Sequence, residues 1–303
     1  MCIIGAKYLR DKGWVLVKNR DQDYVSDISF LDRDHPKVGE VMCLYDHHTN
    51  YREGMNYLGM TIITTSLTPI PNDETDNKDG DSIYHALQLN NPEDAANYLT
   101  DKNITGFIFI STKDKLILIE AAREDQGKGK YKFKQTLIPK NEIVVRTNHG
   151  VDLPWAGFQY GYSEQQDVWR KSSELRKKYA EVVLKKPKDP VAMLDAFSAK
   201  MDDDLQMNIF RVEYKPRQMR TIFQWALVPS EDTVYIRPIQ CRMKMSIKID
   251  PDKIRVNVID NEDIRTLYAK DIKHFCRMVK DSTSIWTTTL KSFKNTNNVR
   301  NNH

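Results

Sequence analysis

Residues 1–24 read MCIIGAKYLRDKGWVLVKNRDQDY, and this stretch has the pattern of a β-hairpin. An apolar run, CIIGA at 2–6, leads into a charged turn that ends at Gly13. The segment WVLVKNRD at 14–21 then alternates apolar and polar residues and becomes polar at its end. Because the two strands of a hairpin run antiparallel, Asn19, Arg20 and Asp21 are predicted to lie beside the start of the first strand.

Cys2 stands at the start of that first strand and has two interpretations. As a structural residue, it simply begins a buried strand with Ile3 and Ile4. As a functional residue, it becomes N-terminal once Met1 is removed, and an α-amine with a pKa of about 8 can then accept the proton of its own thiol. The second interpretation makes the protein an enzyme, and it requires suitable partner residues around the N-terminus.

Composition excludes several classes of function. The 303 residues include 46 basic and 42 acidic side chains, a balance too even to predict a nucleic-acid-binding surface. No signal-peptide pattern and no apolar run of membrane-spanning length is present, and no glycine-rich phosphate loop supports nucleotide chemistry. The four cysteines have neither disulfide-type nor metal-type spacing. We therefore expect a cytoplasmic protein that binds neither nucleic acid nor membranes, and homo-oligomer formation remains open.

The rest of the chain predicts strands, then helices, then strands. Acidic, breaker-rich PNDETDNKDGD at 71–81 is predicted to be a loop, and it lacks the closing Glu of an EF-hand. Short hairpin links favour antiparallel sheets covered by helices in one domain over 1–290, followed by a polar tail at 291–303. The predicted strands are 41–45, 60–67, 105–112, 115–122, 142–150, 207–214, 220–228 and 233–239, and the predicted helices are 91–100, 163–185 and 189–201.

Five short stretches, in this order, resemble a known family. They are MCIIGA at 1–6, KNRDQDY at 18–24, EGMNYLGM at 53–60, VRTNHG at 145–150 and SSELR at 172–176. Together they are similar to elements of the N-terminal nucleophile hydrolases, in the group of conjugated bile-acid hydrolases, penicillin V acylases and isopenicillin N acyltransferases. The resemblance implies an α+β fold, a four-layer αββα sandwich with two antiparallel sheets, and Cys2 as the nucleophile.

The resemblance also implies roles for the polar end of the hairpin. Asp21 would hold the α-amine of Cys2 and orient it toward the thiol, and Asn19 belongs to the same motif. The bile-acid enzymes have Arg one position before that Asn, whereas this chain has Lys18 there and Arg20 one position after it. Either cation could lower the thiol pKa or face a substrate carboxylate. Strand alternation places both cations on the face opposite Asn19 and Asp21, which favours a surface position for them.

Three further residues complete the candidate site. Asn148 would donate to the oxyanion of a tetrahedral intermediate, although an Asn at the end of a strand also caps turns. The family's second donor is an Asn, but this chain has Thr64, Thr65 and Ser66 in that region, so a backbone N–H or a hydroxyl must substitute. Arg176 is either part of a solvated charged helix face or a buried active-site cation. His149 is not expected to be the base, because the α-amine fills that role.

The predicted reaction is cleavage of a linear amide through an acyl-enzyme on Cys2, with a small acylated amide as substrate and no cofactor. Two alternatives remain: acyl transfer to an amine, and a non-catalytic relative that binds a ligand or partner. A metal site is disfavoured, because His47 and His48 point in opposite directions on a strand end and Cys43 lacks further ligands nearby.

Overall fold

The computed structural model describes residues 2–23, 27–35, 39–67, 78–127, 129–211, 219–238, 242–245, 255–260 and 263–267. Its strands are β1 (Ile3–Leu9), β2 (Gly13–Gln22), β3 (Asp27–His35), β4 (Gly39–Asp46), β5 (Tyr51–Asn56), β6 (Thr61–Thr65), β7 (Gly106–Ser111), β8 (Leu116–Arg123), β9 (Tyr131–Leu137), β10 (Ile143–Arg146), β11 (Arg220–Val228), β12 (Thr233–Pro238), β13 (Arg242–Met245), β14 (Arg255–Asp260) and β15 (Asp263–Leu267). Its helices are α1 (Lys78–Leu87), α2 (Pro92–Asp101), α3 (Glu124–Gly127), α4 (Glu164–Val183) and α5 (Pro190–Ala196).

The strands form two sheets. The first has the order β10-β1-β2-β11-β12-β14-β15, and the second has the order β13-β3-β4-β5-β6-β7-β8-β9. Neighbouring strands pair antiparallel except β12 with β14 and β3 with β13, which pair parallel. The predicted hairpin is confirmed as β1 and β2. Gly13 turns it with φ of 72°, and a Cβ there would lie 2.2 Å from the Lys113 carbonyl oxygen, so only glycine fits.

Three apolar cores separate four layers. Trp14 and Leu16 of the first sheet pack against residues such as Phe107 of the second. A second core lies between the outer face of the second sheet and helices α1 and α2. A third lies between the outer face of the first sheet and helices α4 and α5, with Val17 and Phe197 in it. The layer order is therefore helices, sheet, sheet, helices, and the predicted α+β, αββα sandwich is confirmed.

Several predicted elements need correction. Strands β3, β5, β9, β13, β14 and β15 were not predicted, and the expected loop at 71–81 already belongs to helix α1 from Lys78 onward. Two aspartates lie in the first turn of α1, where negative charge is favourable. The same residues gave the segment a loop-like composition, so the start of the helix was not predicted. Strand β9 lies at the edge of its sheet and is mostly exposed, so it lacks a buried face with a clear period of two.

The strand predicted at 207–214 is also wrong over its described residues. A 3-10 turn ends at Met207, and the chain is irregular to Arg211. Asn208 explains the difference, because its side chain accepts from the backbone N–H groups of Met201 and Asp202 and donates to the Asp202 carbonyl. Local side-chain to backbone bonds of this kind compete with strand pairing.

Over the described residues, no helix is both long and apolar enough to cross a membrane. Residues 268–303 lie outside the described part of the chain, including the predicted tail at 291–303. The single-domain boundary at 290 stays a prediction.

Candidate active site

The register of β1 determines what surrounds Cys2. On one side Ile3 pairs with Asn19 of β2, and on the other Ile4 pairs with Arg146 of β10. Continuing both registers by one or two residues places Cys2 opposite Arg20 and opposite Asn148. The start of the first strand therefore meets the ends of its two neighbours, as the hairpin pattern predicts for β2.

Cys2 also contacts the second sheet. Its side chain is buried at 7% exposure, and its carbonyl oxygen accepts a hydrogen bond of 3.4 Å from the Thr65 hydroxyl at the end of β6. Cys43, the other cysteine of the described residues, is fully buried in the core between the second sheet and helices α1 and α2. Cys2 thus lies where the two sheets meet, whereas Cys43 belongs to a separate core.

Asn148 lies beside the same threonine. Its Nδ2 donates to Thr65 Oγ1 at 3.2 Å and to the Ser66 carbonyl oxygen at 2.9 Å, and the residue is 2% exposed. Within the described ranges, Asn148 Oδ1 has no hydrogen-bond partner. The Ser66 side chain is exposed, so Ser66 contributes its carbonyl oxygen here and Thr65 contributes the hydroxyl.

The loop that follows Asn148 is held by backbone contacts. Phe158 N–H donates to the Asn148 carbonyl at 3.1 Å, and the close approach requires Gly157, where a Cβ would lie 2.3 Å from that oxygen. The buried Glu120 carboxylate on β8 accepts from three consecutive backbone N–H groups, those of 151–153, at 2.7 to 2.9 Å. Sequence reasoning missed Glu120, although a lone acidic residue in the apolar strand LILIEAA was a usable signal.

Asp21 is fully buried among cations on the helix-facing side of the first sheet. Arg176 donates to its carboxylate, Thr221 Oγ1 donates to Oδ1 at 2.8 Å, and Arg211 Nη1 lies 3.5 Å from Oδ2. Arg176 is therefore a buried partner of Asp21 and not part of a solvated face. It lies in the middle of α4.

Sequence reasoning missed Arg211, which is 1% exposed and donates to Ser172 Oγ and to the Gln206 carbonyl at 2.7 Å each. Burial first, and the neighbouring Arg176 second, lower the pKa of Arg211 to about 9. The Asp21 carboxylate acts in the opposite direction on this pKa. Arg211 fell in a stretch predicted as a strand, where simple alternation does not distinguish a buried cation from an exposed one.

The expected surface position of Lys18 and Arg20 is wrong. Alternation does separate them from Asn19 and Asp21, but their face lies between the two sheets, and they are 0% and 2% exposed. Lys18 Nζ donates to Glu53 Oε2 at 2.6 Å and to the Thr64 carbonyl at 2.7 Å. Arg20 pairs with the buried Asp46.

Tyr51 joins these two ion pairs. Its hydroxyl lies 2.7 Å from Lys18 Nζ, and the Arg20 guanidinium lies 4.3 Å from its ring centre. Burial, followed by the Glu53 carboxylate, raises the pKa of Tyr51 well above its ordinary value.

Asn19 and His149 have contacts to the protein that explain their burial. Asn19 Nδ2 donates to the carbonyl oxygens of Phe197 and Ile209, and its Oδ1 accepts from Gln224 at 2.8 Å. These bonds fix the chain after α5. Burial, with a smaller contribution from Arg170, lowers the pKa of His149 to about 4, so this imidazole is neutral at pH 7.

In the described parts of the chain, no three His, Cys, Asp or Glu side chains form a group that could hold a metal ion.

Fold and site together define an α+β sandwich with a buried cysteine next to the N-terminus, an amide donor and a carboxylate held by two arginines. No protein-family model matches the chain, and a comparison with curated proteins finds no match either. Among solved structures, a mutant conjugated bile acid hydrolase from Clostridium perfringens is similar, with 13% identity over 89% of this chain and 93% of that chain and a TM-score of 0.48. Penicillin V acylase from Agrobacterium tumefaciens has 11% identity over 88% of this chain and 98% of that chain, with a TM-score of 0.42.

Proposed function

We propose that the protein is an N-terminal nucleophile hydrolase that cleaves a linear carbon–nitrogen amide bond, with Cys2 as the nucleophile after removal of Met1. The observation that carries the proposal is the continuous chain of hydrogen bonds from Asn148 Nδ2 to Thr65 Oγ1 and from Thr65 Oγ1 to the Cys2 carbonyl. An amide donor and a hydroxyl donor therefore lie next to a buried cysteine, so groups that can hold an oxyanion are adjacent to the proposed nucleophile.

The α-amine of Cys2 is the base in this proposal. It takes the thiol proton, and the thiolate attacks the substrate carbonyl carbon to form a carbon–sulfur bond. The resulting ammonium gives its proton to the leaving nitrogen as the carbon–nitrogen bond breaks, and the amine then activates the water that hydrolyses the thioester. Asp21 comes directly after Arg20, the residue opposite Cys2, and it orients the ammonium group of Cys2. Arg176 and Arg211 hold the Asp21 carboxylate in place and put positive charge beside it.

Asn148 and Thr65 are the oxyanion donors. In the resting structure both hydrogens of Asn148 Nδ2 are directed at neutral acceptors, and the contact with Thr65 is the longer one at 3.2 Å. A charged oxyanion is a stronger acceptor than a neutral hydroxyl, so it replaces Thr65 Oγ1 as the acceptor. The Thr65 hydroxyl, whose bond to the Cys2 carbonyl is long at 3.4 Å, turns to the same oxyanion. Lys18 supports this arrangement by holding the carbonyl of Thr64.

Replacing Thr65 with valine tests the second donor. Valine has nearly the same shape but no hydroxyl, so kcat should fall roughly 10- to 100-fold with little change in KM, because the lost bond acts on charge that develops in the transition state. Thr65→Ser retains the hydroxyl and should keep most of the rate. Steady-state kinetics on the three proteins decide the matter, and a wild-type kcat for Thr65→Val would exclude a role for this hydroxyl.

The substrate class follows from a product screen. Acylated amino acids, phenoxyacetyl and phenylacetyl amides, bile-salt conjugates and acyl-homoserine lactones should each be incubated with the protein, with and without an added amine. Free acid in both samples supports a hydrolase, and a new amide formed only with the added amine supports an acyltransferase. No product from any compound would favour a ligand-binding relative of the fold.

A further inference from the structure

Asn148 is anchored to helix α4 through its backbone. Its N–H donates to the Ser173 hydroxyl at 2.8 Å, and both residues are almost fully buried. The neighbouring Thr147 is tied to the same serine twice, since its hydroxyl donates to the Ser173 carbonyl at 2.9 Å and accepts from the Ser173 hydroxyl at 2.8 Å. The end of β10 is therefore attached to the helix layer by a short side-chain network that no candidate role has yet explained.

Counting the hydrogens of the two hydroxyl groups assigns a donor or acceptor role to each member of this network, including His149. A carbonyl oxygen only accepts, so the single hydrogen of Thr147 goes to the Ser173 carbonyl and the single hydrogen of Ser173 goes to Thr147. Both lone pairs of Ser173 Oγ are then free to accept. One accepts from Asn148 N–H, and the other faces His149 Nδ1 at 2.8 Å. With Ser173 donating to Thr147, His149 carries its proton on Nδ1, which also lies 3.1 Å from Thr147 Oγ1.

The same turn of α4 also reaches the other half of the site. Ser173 and Arg176 are three residues apart, a spacing that puts both side chains on one face of a helix. Arg176 donates to the Asp21 carboxylate, while Ser173 accepts from Asn148. One helical turn thus sets the position of the carboxylate at the end of β2 relative to the amide that follows β10.

We propose that Ser173 is a positioning residue for Asn148, which holds the oxyanion donor at the distance from Cys2 that catalysis requires. This inference rests on the proposed amide-cleaving function and adds a residue that touches neither substrate nor nucleophile. Ser173 acts through the backbone of Asn148. Without it, Asn148 can move relative to Cys2, and a displacement of about 1 Å at a catalytic group can cost roughly two orders of magnitude in rate.

The test compares two serine-to-alanine variants on one helix. Ser173→Ala should lower kcat about tenfold or more and leave KM close to wild type, because the donor acts mainly in the transition state. Ser163→Ala is the matched control, since Ser163 caps the N-terminus of α4 by accepting from Gln166 N–H at 3.2 Å and lies away from Asn148. It should lower the melting temperature but keep kcat per folded molecule. Equal kcat for Ser173→Ala and wild type would overturn the proposal.

Two readouts do not depend on activity, so they separate this inference from the proposed function. Hydrogen exchange at the Asn148 backbone amide should become faster in Ser173→Ala than in Ser163→Ala, because only the first variant removes its acceptor. Nitrogen-15 NMR of wild-type protein at pH 7 should find the Nδ1–H tautomer of His149. Unchanged exchange would contradict the proposal even if an amide is cleaved, and the Nε2–H tautomer would contradict the donation from Ser173 to Thr147. If both readouts agree but no amide is cleaved, the proposed function fails and the positional role of Ser173 stands.

Discussion

Replacing Cys2 with alanine is expected to abolish amide cleavage, with a loss of at least about 10⁴-fold in kcat, because the atom that forms the acyl-enzyme is gone. The α-amine, Asn148 and Thr65 remain, but without a nucleophile they can only assist direct attack by water. The measurement is product formation from an accepted substrate under conditions in which both proteins are folded.

Cys43→Ala provides the matched control for that variant. Cys43 is also a buried cysteine, but it packs in the core between the second sheet and its helices. Its loss should lower the melting temperature through a small cavity and leave kcat per folded molecule unchanged. If Cys2→Ala retained more than about one hundredth of the wild-type rate, a role as nucleophile would be excluded.

Asn148→Ala should lower kcat by about 10² to 10³ with little change in KM, the usual cost of removing an oxyanion donor. The variant also removes the hydrogen bonds from Asn148 to Thr65 and Ser66, so a loss of about 1 kcal/mol in the free energy of unfolding accompanies the loss of rate. Kinetics should therefore be measured well below the melting temperature, and the rate expressed per folded molecule.

Asn56→Ala separates catalysis from turn capping. Asn56 is equally buried, and its Oδ1 accepts from the backbone N–H groups of Leu58 at 3.1 Å and Met60 at 2.9 Å. Its replacement should destabilise the protein by about 1 kcal/mol or more and leave kcat near wild type. Should Asn148→Ala behave in the same way as Asn56→Ala, Asn148 would be a structural residue and the oxyanion assignment would be wrong.

Patterns of local sequence predicted the elements that carry the site. Alternation and Gly13 located the first hairpin, the Asn91 cap located helix α2, the Asp-Pro pair at 189–190 located α5, and apolar residues at helical spacing located α4. These signals lie within a few residues and need no knowledge of the rest of the fold. Elements that lack them, such as the exposed edge strand β9, were missed.

Burial of charge could not be predicted in the same way. Lys18 and Arg20 were expected at the surface. Alternation correctly placed them on the face of β2 opposite Asp21, but it does not show that the second sheet covers this face. Their partners Glu53 and Asp46 come from strands β5 and β4, far away in sequence. Arg211 likewise reaches Asp21 from a segment without regular structure. Such pairings depend on the stacking of the layers, which only the three-dimensional structure contains.

The proposed mechanism requires a free α-amine on Cys2, because that amine is both the base for the thiol and the acid for the leaving nitrogen. The most direct test is the intact mass of the protein purified from a cell with normal methionine aminopeptidase. We predict a mass that lacks Met1 and carries no N-terminal acyl group. If a preparation that cleaves an amide retained Met1 in all of its molecules, Cys2 could not be an N-terminal nucleophile.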